Sequence, residues 1–204
     1  MVIYEPVALD KVAVIPWRNG GGTTRTLAVE PAGAGLDDFD WRISLAEIHA
    51  PGSFSAFPGV ERTILLWRGQ GVVLRSPAWP EHRLTGLLQP FRFDGEDEVD
   101  CRLIGDSSSD LNLMVRRGRV SGKIHSRTAE VTVDPLCDDV VVICSAGVTL
   151  IQVPGRAEIA LREGYFLRIS RPGIGIRIVT EGPDGIFVSA SMHRLVASNG
   201  VSHT

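Results

Sequence analysis

Apolar and polar positions along this chain follow the period of β-structure. Phe39-Asp40-Trp41-Arg42-Ile43-Ser44-Leu45 alternates without a slip, as a strand with two unlike faces does. Thr63–Trp67, Val72–Leu74, Val99–Ile104, Leu111–Val115, Val140–Cys144, Val148–Val153 and Ile174–Val179 are short and rich in β-branched residues. Gly, Pro, Asp and Ser separate them, as turns separate strands. No amphipathic helical pattern runs beyond about two turns. The pattern predicts an all-β chain.

The rhythm is heard twice. Ile64-Leu65-Leu66-Trp67-Arg68-Gly69-Gln70-Gly71-Val72-Val73-Leu74 is echoed by Val141-Val142-Ile143-Cys144-Ser145-Ala146-Gly147-Val148-Thr149-Leu150. Residues 89–93 are echoed by 164–168. Cys101–Ile104, a polar turn and Asp110–Met114 are echoed by Ile176–Val179, a polar turn and Asp184–Val188. The offset holds near about 75 residues, which suggests duplicated domains rather than a solenoid. Strand, tight glycine turn, strand, a longer loop and three short strands is the order of a jelly-roll β-sandwich or small barrel. Such a barrel can enclose one small ligand. The expected fold is therefore a bicupin of two fused jelly rolls. Residues 1–118 form the N-terminal one, with extra material at Trp17–Ser55, and residues 119–204 the C-terminal one, which is stripped down.

The 22 glycines and 12 prolines suit many turns, and a hydrophobic content of 44% suits a globular protein. Net charge is −3 and the basic residues are dispersed, so nucleic acid is not an expected partner. No apolar run approaches the roughly 20 residues that cross a bilayer. The N-terminus has an early acid and proline and no basic segment, unlike a signal peptide. Cys101, Cys137 and Cys144 form no C-x-x-C pair, so neither a disulfide framework nor a zinc site is expected. A reducing, cytoplasmic setting follows.

The five histidines, His49, His82, His125, His193 and His203, include no H-x-H pair and no i,i+4 pair. Metal ligands cluster more tightly, so neither a metal nor a cofactor is expected. No G-x-S-x-G elbow is present, and Gly105-Asp106-Ser107 reads as a turn.

What remains is a polar constellation in the first half. Trp17-Arg18-Asn19-Gly20-Gly21-Gly22-Thr23 places three glycines behind an aromatic plate, a guanidinium and an amide. Without the Gly-Lys-Ser/Thr ending or G-x-G-x-x-G spacing it is not a phosphate loop. Its glycines make room for a small anion or for a neighbouring strand. Arg42 and Ser44 share one strand face, which is either solvated or a cavity wall. Phe54 and Phe57 sit among small residues in Pro51–Gly59, as a pinned turn or as the rim of a site. Glu61 pairs with Arg62 or another surface arginine. Asn112, Arg116 and Arg117 flank the junction of the repeats and read as structural.

Together these motifs resemble the HutD/Ves family. The resemblance rests on Trp17–Thr23, Phe39–Ser44, Phe54–Arg62 and Asp110–Arg117, in that order and spacing. It implies a bicupin fold and a regulator of histidine utilisation rather than an established catalyst. It also implies a small carboxylate ligand: urocanate, formylglutamate or formate. The chain departs from the family at Thr26, where an acidic residue is common, and at Gly52-Ser53, where Gly-Pro is common. The first departure removes a partner for an arginine. The expected ligand site is Trp17, Asn19, Gly21, Thr23, Arg42, Ser44, Phe54, Phe57 and Arg62. Arg42 or Arg62 would grip the anion, with no catalytic residue. The other reading is a metal-independent cupin enzyme acting on a small organic acid. A protein partner in the same pathway, and a monomer or homodimer, complete the expectation.

Overall fold

A computed structural model describes residues 1–126 and 129–195. His203 and the end of the expected C-terminal unit lie outside the described residues. Apart from a 3-10 turn at Leu9–Lys11, the regular structure among them is all strand. The first strands are β1 (Val2–Ile3), β2 (Val7–Ala8), β3 (Val14–Pro16), β4 (Gly22–Glu30), β5 (Trp41–Ile48) and β6 (Gly52–Ser53). Next come β7 (Val60–Gly69), β8 (Val72–Ser76), β9 (Trp79–Leu84), β10 (Pro90–Asp94), β11 (Asp100–Leu103) and β12 (Ser108–Arg116). The last are β13 (Val120–Ser126), β14 (Glu130–Val133), β15 (Asp139–Gln152), β16 (Ile159–Arg162), β17 (Tyr165–Ser170) and β18 (Ile176–Arg194). No helix among the described residues is long and apolar enough to cross a membrane.

The strands form three sheets. One runs β10-β7-β12-β5-β4-β3, a second β6-β11-β8-β9. The third follows β1-β17-β15-β18-β13, with β2, β16 and β14 added beside β17, β15 and β18. Between the six- and four-stranded sheets lie Ile48, Ile64, Leu66, Val72, Leu74, Leu84, Phe93, Val99 and Cys101. The opposite face of the six-stranded sheet supplies Trp41, Ile43, Leu45, Leu65, Trp67, Leu111, Leu113 and Val115. These pack on Val141, Ile143, Val188, Ala190 and Met192 of the eight-stranded sheet. The far side of β15 and β18 buries Val140, Val142, Cys144, Ile178 and Phe187. The apolar runs at Ile64–Trp67 and Val140–Cys144 are continuous because those strands are covered on both faces.

The structure departs from the sequence pattern in four places. Phe39 lies ahead of β5 and does not share the Trp41 face; it packs with Val60 and Met114 in a separate cluster. The second glycine turn, at residues 145–147, does not break the chain. β15 runs through it and absorbs it as register shifts against β18. The polar segment before Asp184 likewise lies inside β18. In the first copy, by contrast, Gly69–Gly71 passes the chain from one sheet to another. Finally, β1 and β2 pair with β17, so the first eight residues join the sheet built by residues after 119.

Candidate functional site

Residues paired across neighbouring strands point to the same face, so register alone assembles the inner face of the six-stranded sheet. One cross-strand row is Phe93–Arg62–Met114–Arg42–Val29, on β10, β7, β12, β5 and β4. The next is Ile64–Asn112–Ser44–Thr26, and the one after is Leu66–Asp110–Ala46–Thr24. A polar strip thus crosses β12, β5 and β4 inside an otherwise apolar enclosure.

Both arginines turn toward the middle row. Arg62 donates from Nη2 to Asn112 Oδ1 at 2.8 Å. Arg42 donates from Nη2 to Thr26 Oγ1 at 2.7 Å and, at a longer 3.4 Å, from Nη1 to Ser44 Oγ. Asn112 and Ser44 are register partners, so the two guanidinium groups converge over neighbouring side chains. Among the described residues neither arginine has a carboxylate within ion-pair distance. Thr26, the position where an acid was missing, gives Arg42 an uncharged acceptor.

Arg62 is only 7% exposed, and its Nε is buried without a hydrogen-bond partner. Three rings surround the guanidinium, with Phe54 and Phe93 centred 5.0 Å away and Phe57 5.8 Å away. Burial pulls the Arg62 pKa down to about 10; Asp110 opposes the drop and Arg42 adds to it. Burial also lowers the Arg42 pKa. Asp110 accepts a hydrogen bond from Asn112 Nδ2. Burial pushes its carboxyl up to about 7, against the pull of Arg62 and the Asn112 hydrogen bond. A divalent cation would meet two guanidinium groups here, so this site does not fit one. Among the described residues no three His, Cys, Asp or Glu side chains are grouped as metal ligands.

The glycine loop lies at one end of this strip. It is the β3–β4 hairpin turn: Gly20 N–H donates to the Trp17 carbonyl at 3.0 Å, and Trp17 N–H to the Gly22 carbonyl at 2.9 Å. Asn19 Oδ1 accepts from Gly21 N–H at 3.0 Å, while the Gly21 carbonyl accepts from His49 and Ala50. The backbone donors of Gly20 and Gly21 are therefore spent inside the turn. Gly22 explains its own identity, because a Cβ there would stand 2.3 Å from the Glu47 carbonyl and 3.0 Å from the Trp17 ring. Of the two readings of the glycines, room for a neighbouring strand is the one the geometry favours. The Trp17 indole N–H donates to Thr24 Oγ1 at 2.7 Å, and the ring packs against the same apolar cluster as Phe54.

The structure thus brings together Arg42, Ser44, Arg62, Phe54 and Phe57, with Trp17 nearby. Asn19 and Gly21 serve the turn. Thr23 pairs with Glu47 and points to the opposite face; the inward threonines are its neighbours Thr24 and Thr26. Asn112, read as structural, is the hub between Arg62 and Asp110, whereas Arg116 and Arg117 do have structural roles. Arg116 donates to the carbonyls of Phe39 and Asp37, and Arg117 pairs with Asp94 and Glu96. Glu61 pairs with Arg92. Two residues from Asn112 along β12, Asp110 shares its strand face by period, and pairing with β5 turns that face inward.

Open surface depressions lie beside the arginines rather than at them. One of about 540 Å³ is lined by Ser53, Phe54, Arg75, Asp97, Val99 and Asp100, among others. Phe54 is the shared element, standing between that depression and Arg62.

Known proteins agree with this architecture. The chain is 37% identical over 110 residues to a Pseudomonas putida protein described as an uncharacterized 21.2 kDa protein in the hutC 3' region, covering 54% of this chain and 57% of that one. It is 44% identical over 117 residues to Protein Ves of Citrobacter koseri, covering 57% and 60%. The matches thus span somewhat over half the length of these curated relatives. HutD from Pseudomonas fluorescens SBW25, solved in a formate condition, superposes with a TM-score of 0.82 at 27% identity, over 96% of this chain and all of that one. A cupin 2 conserved barrel domain protein from Leptotrichia buccalis shares the fold at a TM-score of 0.56 and 11% identity, covering 94% and 97%. The fold is therefore all-β and cupin-like. The HutD family model matches residues 10–187, a span that holds every strand of the polar strip, and the chain belongs to the HutD family.

Proposed function

We propose that this chain is a non-catalytic, cytoplasmic binding protein for a small carboxylate and acts as a regulator of histidine utilisation. One observation carries the reading: two guanidinium groups, Arg42 and Arg62, converge on the Asn112–Ser44 pair with no carboxylate partner among the described residues. Two such cations inside an apolar enclosure favour an anion, and a planar carboxylate matches a guanidinium fork. Thr26, Ser44 and Asn112 limit the site to a small polar ligand, and Phe54, Phe57 and Trp17 form its apolar walls. The hutC-region relative supports the pathway.

The three echoed blocks take the same order in both large sheets, β10-β7-β12 and β17-β15-β18. That supports two fused jelly rolls divided near residue 118, with β1 and β2 strapping the first to the second. The arginine buried among the described residues, Arg62, belongs to the first unit, and the second interior presents mainly apolar side chains, which favours the first unit for the ligand. A protein partner would read out the ligand state, with the chain as monomer or homodimer. The second reading, a metal-independent enzyme on a small organic acid, draws on Asp110, whose pKa near 7 suits acid–base work.

Titration calorimetry with urocanate, formylglutamate and formate tests the proposal. Binding by at least one is expected, and Arg42→Ala should weaken it about 30-fold, the worth of one charged hydrogen-bonded contact of about 2 kcal/mol. No heat from any of the three, with folded protein, overturns the ligand class. Turnover of a bound acid would move the assignment to the enzyme.

A further inference from the structure

The carboxyl that lies deepest in the polar strip takes no direct part in gripping an anion. Asp110 is 2% exposed and has no cation within ion-pair distance among the described residues. Its hydrogen bond comes from Asn112, whose orientation is fixed from the other side. Arg62 can only donate, so Asn112 presents Oδ1 to it and leaves Nδ2 for Asp110 Oδ1. Arg62, Asn112 and Asp110 therefore form one chain, with the anion grip at one end and a buried carboxyl at the other.

We propose that the site takes up its carboxylate together with one proton, and that the proton resides on Asp110. This rests on the carboxylate reading above and adds its regulation by pH. The electrostatic reason is direct. Arg62 is the cation nearest to Asp110 along this chain, and a ligand carboxylate would draw on the same charge. Asp110 and Asn112 are two residues apart on one strand, about 7 Å, so two negative charges in this enclosure would oppose each other strongly. A proton from solvent, placed on the Asp110 oxygen that Asn112 leaves free, removes one of them. The occupied site then holds two guanidinium groups, one ligand anion and a neutral carboxyl.

The charged and titratable groups facing Asp110 are few. Arg62 comes from β7, Arg42 from β5 and Cys101 from β11, while the exposed Glu47 of β5 adds its charge from the opposite face of the sheet. Arg62 titrates near 10 and the Cys101 thiol, raised by burial, near about 12, so both keep one state from pH 6 to 8.5. Burial holds Asp110 near 7 in the free protein, in the middle of that interval. At pH 6 the carboxyl is mostly protonated before the ligand arrives. At pH 8.5 the proton must be taken up on binding, so affinity falls as pH rises.

Calorimetry with formate and with formylglutamate, whose carboxylates are ionised across this interval, tests the proposal at pH 6, 7 and 8.5. Buffers of different ionisation enthalpy count the protons. The dissociation constant should rise about 30-fold from pH 6 to 8.5, with close to one proton taken up per ligand at pH 8.5. Asp110→Asn should keep the binding and lose both the pH dependence and the proton uptake. A pH-independent dissociation constant, or an Asp110→Asn protein with the wild-type pH dependence, overturns the proton coupling and leaves the carboxylate reading standing. No binding by the wild type even at pH 6 overturns both.

Discussion

Arg62→Met should stabilise the ligand-free protein at pH 6 while abolishing anion binding. A guanidinium whose pKa has fallen to about 10 has lost about 3 kcal/mol of preference for its charged form. The sign is definite: a lowered arginine pKa means the folded state disfavours the charge, and that cost is present throughout the range below 10. Methionine fills similar space and its sulfur suits the ring cage of Phe54, Phe57 and Phe93. Against this gain, Asn112 Oδ1 loses its donor, which costs about 1–2 kcal/mol for a buried acceptor. The balance at pH 6 is about 1 kcal/mol in favour of the variant, or about 2–4 °C in melting temperature for a chain of this size. At pH 8.5 the sign should weaken or reverse, because an ionised Asp110 loses the cation that offsets its burial. Scanning calorimetry of both proteins at the two pH values, without ligand, reads this out. A melting temperature more than about 4 °C below wild type at pH 6 would refute the argument, since the buried charge would then be a net stabiliser. The expected result says that the protein keeps Arg62 at a cost to stability, which a structural role would not require.

Gly22→Ala should cost about 2–3 kcal/mol and disturb Trp17, because the new methyl meets the Glu47 carbonyl and the indole ring at once; an unchanged denaturation midpoint with an unchanged Trp17 emission spectrum would contradict this. Arg168→Met should destabilise by about 3 kcal/mol at neutral pH, because Arg168 pairs with Asp139 and Glu30 at 2.8 and 2.7 Å and its loss leaves Asp139, 4% exposed, without its cation; urea unfolding measures it, and a change below about 1 kcal/mol counts against the pairing as described.

Much of the fold is carried by local pattern, and the residues that escape show what pattern lacks. The alternation at Trp41–Leu45 is strict because its two faces meet unlike surroundings, an apolar inter-sheet layer and a polar strip. Arg42 and Ser44 were therefore readable as one face. That this face lines an interior was not readable, because an arginine inside a β-enclosure has the same local pattern as one in water. The sequence reading places Thr23 in the site, whereas Thr24 and Thr26 point inward, because nothing in a run of threonines marks which one does so. The answer lies in pairing with β5 and in the bulge between Thr26 and Ala28, both long-range facts. Asn112 was grouped with Arg116 and Arg117 by proximity in sequence, although strand period separates it from Arg117 and cross-strand partners separate it from Arg116. The turns inferred at Gly147 and before Asp184 have the composition of turns, yet strong pairing between β15 and β18 absorbs them. Tertiary pairing overrides local preference at such points.

β5 and β12 each carry the polar strip on one side and the inter-sheet layer on the other. This makes the two strands unforgiving of changes in length. Loss or gain of one codon inside β5 would send the residues beyond it to the opposite side, exchanging isoleucines for arginine and serine in both layers together. Loss or gain of two codons would keep the sides and change only the cross-strand partners. Single-codon insertion and deletion at this site is therefore best tolerated in its loops, such as the hairpin at Trp17–Gly21 and the segment from Pro51 to Gly59, while inside β5 substitution is the change that leaves both layers intact.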